Sequence, residues 1–260
     1  MIPEIAIQIF LFCLGAVVGS FLNVCIYRMP RKESIIRPGS HCPHCQVKIP
    51  WYDNIPFFSY IFLKKRCRHC GEKIAFRYFV VELVTASTFL LLHYYFGLSA
   101  LFWIYLAFCS SLIVVSFIDI DIREIPDEID LSGIVIGLAL SLIFPQLQQT
   151  LFHKLALWRS FLGILAGGAS IYLTGLIGDA IFKKESMGGG DVKLMAMVGA
   201  FIGWKLAILT FFIAPFFGAA VGIVLKIRKG QSLIPYGPFL SLAALISIIW
   251  GHRIIDVIIY

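Results

Sequence analysis

Long apolar runs recur along the chain, each closed by a polar break, and only one of those breaks is long. The runs fall at about 5–27, 78–97, 99–118, 131–145, 160–182, 192–204, 206–225 and 238–251. Crossing a hydrocarbon core of about 30 Å takes about 20 apolar residues of helix. The pattern therefore predicts an all-α, polytopic membrane bundle of about eight transmembrane helices. The fourth and sixth runs are short for that length, as re-entrant segments also are. Residues 28–77, the one long polar stretch, predict a loop domain between a first spanning helix (1–27) and the rest of the bundle (78–260). The opening run has neither a basic leader nor a small-residue cleavage site, so it predicts a retained helix rather than a removable signal peptide.

Composition strengthens this picture. The 260 residues are 59% hydrophobic and 14% charged, with a mean hydropathy of +0.88, whereas a soluble domain carries about 25% charged residues. Charge then predicts orientation, because Lys and Arg collect on the cytoplasmic side. With the N-terminus outside, eleven Lys/Arg fall in residues 28–77, followed by Arg123, by Lys183, Lys184 and Lys193, and by Lys226, Arg228 and Lys229. These make 18 of the 22 basic residues, leaving Lys154, Arg159, Lys205 and Arg253 outside. The loop is expected in the cytoplasm, and the net charge of +7 suits the anionic lipids of an inner leaflet.

Within the loop, "HCPHC" and "CRHCG" place Cys42, Cys45, Cys67 and Cys70 as C-x2-C-x21-C-x2-C. Two such knuckles supply the four thiolates of a tetrahedral zinc site. A reducing cytoplasm argues against the alternative of two disulfides. A piece of about 50 residues also lacks a core large enough to order itself without a metal. His41, His44 and His69 lie among the cysteines but are not needed as ligands, and Cys13, Cys25 and Cys109 sit in apolar runs as packing residues. The loop's basic residues are scattered and tethered between two spans, so nucleic acid is not an expected partner.

The acidic residues are fewer and more telling. "FIDIDIREIPDEID" ends one apolar run with Asp119 and Asp121 and opens the next, after Pro126, with Asp127, Glu128 and Asp130. The latter three read as ordinary helix-start acids. Asp119 lies within or at the end of a span, and Asp191 follows "GGG" at the start of another. A carboxylate at membrane depth costs about 2.5–3.5 kcal/mol on insertion scales, which makes it a functional candidate. Both acids fall at the cytoplasmic ends of their helices, and two such carboxylates brought together share a proton, one activating water while the other acts as acid. The glycines suit close approach of an extended peptide or, alternatively, a plain turn capped by Asp191.

"ESMGGGDVKL" resembles the E-x-M-G-x-G-D-V-K-L signature of the type IV prepilin peptidases, membrane aspartic proteases of the GxGD class. "FIDIDIREIPD", "GAVVGSFLNVCIYRMP" (15–30), the two cysteine knuckles, "FRYFVVELVTA" (76–86) and "IPYGPFLSLAAL" (234–245) resemble the family's other blocks in the same order. The resemblance implies a bifunctional bacterial enzyme that cuts prepilins or pseudopilins of pili, secretion or DNA uptake systems. The cut follows the glycine that ends a short basic leader, and the new N-terminus is methylated with S-adenosylmethionine. It implies Asp119 and Asp191 as the catalytic pair, with Asp121 as rival for the first role. It also places Asn23, Arg28 and Glu82 near methyl transfer, beside the cysteine loop. Each of these has a plainer alternative. Gly15 and Gly19 form a G-x-x-x-G contact face, Asn23 can bond a neighbouring helix, and Arg28 can anchor a helix end. No G-x-G-x-x-G follows a predicted strand, and "AGGAS" (166–170) reads as helix packing. A proton-coupled transporter with a zinc-binding cytoplasmic cap is the alternative function, against which the chain shows no pair of interrupted segments in its two halves. A scaffold protein using the zinc loop would leave the buried acids without a role.

Overall fold

A computed structural model describes residues 2–183, 187–229 and 234–259, and no strand occurs among them. Lys184, Glu185 and Ser186, used above for orientation and for the glycine-rich signature, lie outside the described residues. The helices are α1 (Ile2–Arg28), α2 (Phe58–Phe62), α3 (Phe76–Phe96), α4 (Ala100–Ile122), α5 (Asp127–Ile143), α6 (His153–Phe182), α7 (Gly189–Lys229) and α8 (Gly237–Ile259). Six of them are long and apolar enough to cross a membrane. At 17 residues, α5 falls short of a full crossing, and α2 is a short turn of helix within the loop. The runs expected as separate sixth and seventh spans form one element, α7, broken at Gly203. With α7 taken as two arms, the expected helices all occur in order. The chain is a multi-pass membrane protein.

Chain contacts divide the protein into two compact units, Met1–Val114 and Val115–Tyr260. In the first, α1 packs along α3. Cβ atoms on Gly15 and Gly19 would stand 2.7 Å from the Cα atoms of Ala86 and Glu82, so small residues set this close contact. Leu11, Leu22 and Ile26 are buried on α1, and Val81, Phe89 and Leu92 on α3.

In the second unit, α6 and α7 make the most extensive contact, and α7 also packs against α5 and α8. Gly163 and Gly199 meet backbone to backbone, and Gly167 meets the Met195 backbone, with no room for a side chain on any of the three glycines. The "AGGAS" stretch is thus part of the α6–α7 contact. On α5, Asp130, Gly133, Gly137 and Ser141 are buried together. Gly133 abuts Met197, and a Cβ on Gly137 would stand 2.8 Å from that of Ala200, so this stripe faces α7.

The break in α7 explains one more feature of this unit. Gly203 adopts φ 76° and ψ 171°, a conformation open to glycine alone at low cost. Carbonyls freed at such a break need partners at membrane depth. Gln148 Nε2 donates to the carbonyls of Ala200 (3.0 Å) and Phe201 (3.2 Å) and to Ser141 Oγ (3.0 Å). Ser160 Oγ and Ser141 Oγ also donate to the Ala200 carbonyl, at 2.7 and 3.3 Å. All three side chains are buried.

Candidate active site

Asp119 sits in the last turn of α4, where the helix ends as Arg123 turns left-handed (φ 60°) and its N–H donates to the Asp119 carbonyl at 2.9 Å. The Asp119 side chain is only 5% exposed. Its Oδ2 accepts the N–H of Gly237, the first residue of α8, at 2.8 Å. A Cβ at Gly237 would lie 2.9 Å from that oxygen, so glycine lets the backbone reach the acid. Asp121 is exposed.

Asp191 occupies the first turn of α7, its N–H donating to the Gly188 carbonyl at 3.1 Å. A carboxylate is favoured there by the helix dipole. The three glycines differ. Among the described residues nothing stands where a Gly189 side chain would be, and Gly188 has only Asp191 Oδ2 nearby. Gly190 presses on Ile125, to whose Cβ an added Cβ would come within 2.9 Å. Gly190 is thus fixed by packing against the segment between α4 and α5, while Gly188 and Gly189 leave a bare backbone. The charge of Asp119 acts on Asp191, so the fold brings the two acids into electrostatic contact across 72 positions of sequence.

Three further groups complete this region. Lys193 bonds both oxygens of Asp127, at 2.6 and 2.8 Å, tying the starts of α7 and α5 together. Burial, and after it the charge of Asp191, pushes the Tyr236 hydroxyl up to about 12, so it remains protonated. Asp130 departs from the sequence reading. Asp127 and Glu128 are exposed helix-start acids, but Asp130 is fully buried, and neither of its oxygens has a hydrogen-bond partner among the described residues. The cause is helical phase, since Asp130 continues the Gly133, Gly137 and Ser141 stripe toward α7. That spacing was available in the sequence. Tyr236 lay within a quoted block without a role, and Gln148 gave no local signal.

In the first unit, the ligand atoms of Cys42, Cys45, Cys67 and Cys70 all lie within 4.8 Å of one another, with Cys42 Sγ and Cys70 Sγ 3.9 Å apart. Tetrahedral zinc at about 2.3 Å from each sulfur needs sulfurs about 3.8 Å apart, so the cluster fits the ion. The two knuckles repeat one backbone design. The N–H groups of Cys42 and Cys67 donate to the carbonyls of Val47 and Glu72, those of Gln46 and Gly71 return to Cys42 and Cys67, and Gln46 and Gly71 are left-handed. Bridges His41–Lys48 and Arg66–Lys73 close each knuckle. Backbone hydrogen bonds from the Cys70 and His69 positions push the Cys67 thiol down while its hydrogen-bonded partner Cys70 is pushed up, so of this pair, which titrates together, Cys67 is the first to become a thiolate. Among the described residues the cluster is made of the four cysteines. Cys25 and Cys109 are buried as packing residues, but Cys13 is exposed on α1. An apolar run in a membrane helix can face lipid as readily as protein.

Asn23 Nδ2 donates to the carbonyls of Gly19 (3.3 Å) and Tyr78 (3.1 Å), joining α1 to α3, while its buried Oδ1 has no partner among the described residues. Arg28, also buried, donates to the carbonyls of Ser34 (2.9 Å) and Gly39 (3.1 Å) at the root of the loop. Glu82 Oε2 accepts the N–H of Phe57 at 2.9 Å. Phe57 has φ 62° and ψ −52°, an unusual conformation for an aromatic residue. Its ring lies 5.6 Å from that of Phe12 and 5.4 Å from that of Phe79. The loop is thereby fastened to α1 and α3 by one carboxylate bond and an aromatic cluster.

Residues 13–96 match the bacterial peptidase A24 N-terminal domain, and residues 106–223 match the type IV leader peptidase family. A prepilin leader peptidase/N-methyltransferase of Myxococcus xanthus is 38% identical over 229 residues, which cover 86% of this chain and 64% of that protein. One of Stutzerimonas stutzeri is 33% identical over 269 residues, 93% of this chain and 90% of that protein. One of Bacillus subtilis is 32% identical over 250 residues, 95% of each. No solved structure matches the chain. These relatives are processing enzymes, and the transporter alternative finds no support among them.

Proposed function

The chain belongs to the type IV leader peptidase family, and from that premise we propose that it is a bifunctional prepilin-processing enzyme whose two activities rest on different units. The peptidase reading is carried by the electrostatic contact of Asp119 and Asp191, two acids from the ends of separate membrane helices. One carboxylate takes a proton from water as it attacks the carbonyl of the leader glycine, while the other, protonated, gives its proton to the carbonyl oxygen. On collapse the first passes the water's proton to the leaving amine and the second recovers its own from the gem-diol. The Gly237 N–H holds Asp119 in orientation. The bare backbone at Gly188 and Gly189 suits an extended substrate. Substrates are prepilins or pseudopilins of a pilus, secretion or DNA uptake system. The basic leader keeps the cut on the cytoplasmic side of the bacterial inner membrane, with the N-terminus outside.

Zinc, held by Cys42, Cys45, Cys67 and Cys70, is structural, because four thiolates leave no open position. The methyl-transfer residues belong to the first unit, where Asn23 Oδ1 and the Glu82 carboxylate are the polar groups that would hold the methyl donor. Arg28 shapes the loop beside them. S-adenosylmethionine supplies an electrophilic methyl group when bound, and the chain must present the new N-terminal amine, unprotonated, in line with it. The test is incubation of the purified protein with a prepilin, with and without S-adenosylmethionine, followed by mass measurement of the product. Arg28→Ala and Glu82→Gln are expected to lower methylation while cleavage stays measurable, and Asp191→Asn to methylate a pre-cut substrate. Loss of methylation in Asp191→Asn, with normal donor binding, would defeat the division of labour.

A further inference from the structure

Asp130 takes no part in the two-carboxyl mechanism, yet its position is costly. It is fully buried between α5 and α7, and neither of its oxygens has a partner among the described residues. Burying a polar group without hydrogen bonds disfavours folding, and a packed hydrocarbon side chain does better in such a place. The charged groups around it are few. Its own helix supplies Asp127 and Glu128, both exposed. From α7, Asp191 and Lys193 act on it electrostatically, as does Asp127. Lys193 is already bonded to both oxygens of Asp127. Helix α6, which also packs against α5, carries no charged residue between Arg159 and Asp179, and the turn Pro145–Gln148 carries none.

We propose that Asp130 is a third carboxyl of the peptidase site, a positioning residue that holds a proton beside Asp191 and sets the pH range over which the Asp119–Asp191 pair keeps its own. This rests on the reading of that pair as catalytic. With no donor to its oxygens, buried Asp130 holds its proton to higher pH than an exposed aspartate does. When rising pH strips its proton, the new negative charge opposes ionisation of Asp191, so the pair stays singly protonated to higher pH. The three carboxyls then titrate as one coupled group. Removing Asp130 removes that opposing charge, and the alkaline limb of the cleavage profile moves to lower pH.

The experiment measures kcat and KM for prepilin cleavage across pH, with thermal unfolding, for the wild type, Asp130→Asn, Asp130→Leu, Asp130→Glu and Asp191→Asn. Asp130→Asn and Asp130→Leu are expected to cleave, with the alkaline limb lower by about half a pH unit or more. The loss above neutral pH should fall on kcat with KM little changed. Asp130→Leu should unfold at a higher temperature than the wild type, and Asp130→Glu should restore part of the limb. Limbs that superimpose on the wild type in both the Asn and Leu variants, or limbs restored equally by Leu and Glu, would overturn the proposal. A dead Asp191→Asn with unshifted Asp130 variants sinks only this inference, whereas full cleavage by Asp191→Asn sinks the pair itself.

Discussion

Two buried polar clusters lie along α7, and they are built on opposite terms. At the Gly203 break, Gln148, Ser141 and Ser160 spend their donors on the carbonyls of Ala200 and Phe201 or on one another. Near the start of the helix, Asp130 is equally buried but its oxygens are unpartnered, and Asp119 and Asp191 set carboxylates against each other. The first cluster repairs a backbone break, and every bond in it serves the fold. The second gathers acidic groups at one place, and no bond among the described residues serves the oxygens of Asp130. In a membrane bundle, a buried polar group left without a partner calls for a reason beyond the fold, as a satisfied one does not.

The sharpest test of this contrast is to neutralise the acids. Asp119→Asn and Asp191→Asn should each lower cleavage by roughly a thousandfold or more while the protein stays folded, whereas Asp121→Asn keeps substantial activity. Mass spectrometry of the prepilin product measures all three, and a dead Asp121 variant beside an active Asp119 variant would move the role to Asp121.

The satisfied cluster should respond in stability instead. Gln148→Leu removes one buried donor that serves both the Ala200 and the Phe201 carbonyls, and should cost about 3 kcal/mol. A lower melting temperature with cleavage per folded molecule preserved is the expected readout. Since Asp130→Leu should move stability the other way, like-signed shifts in the two variants would erase the distinction drawn between the clusters.

The cysteine cluster tests the contrast from outside the second unit. One zinc per chain should be released by a strong chelator or by Cys42→Ser with Cys45→Ser, loosening residues 40–74 in hydrogen exchange. Cleavage should change by less than about threefold, since a closed four-thiolate site supplies architecture and not chemistry. Protein purified without chelator yet free of zinc would refute that assignment.

The smallest effect belongs to Lys193→Met. Its pair with Asp127 is 39% and 54% exposed at the two side chains, and such pairs contribute about 0.5 kcal/mol. A stability change beyond about 2 kcal/mol in denaturant titration would show that Lys193 supports the buried acids and not only its exposed partner.

The sequence alone went far here because a bilayer imposes simple rules. Apolar length marked the helices, and the cysteine spacing marked a cluster whose sulfurs do converge. Ordered motifs pointed to the family. Local patterns of this kind survive without tertiary knowledge, since they depend on solvent, chain geometry and ligand count. What depended on packing was hidden. That 192–204 and 206–225 form one broken helix follows from Gln148, 55 residues before Gly203, whose side chain meets the freed carbonyls. That Gly190 is fixed by Ile125, and that Gly237 brings its N–H to Asp119, are long-range contacts no window of sequence contains. Asp130 shows the boundary most clearly. Its helical spacing with Gly133 and Gly137 was there to read, but only the close approach of α7 turned a helix-start acid into a buried one, because burial belongs to the pair of helices and not to either alone.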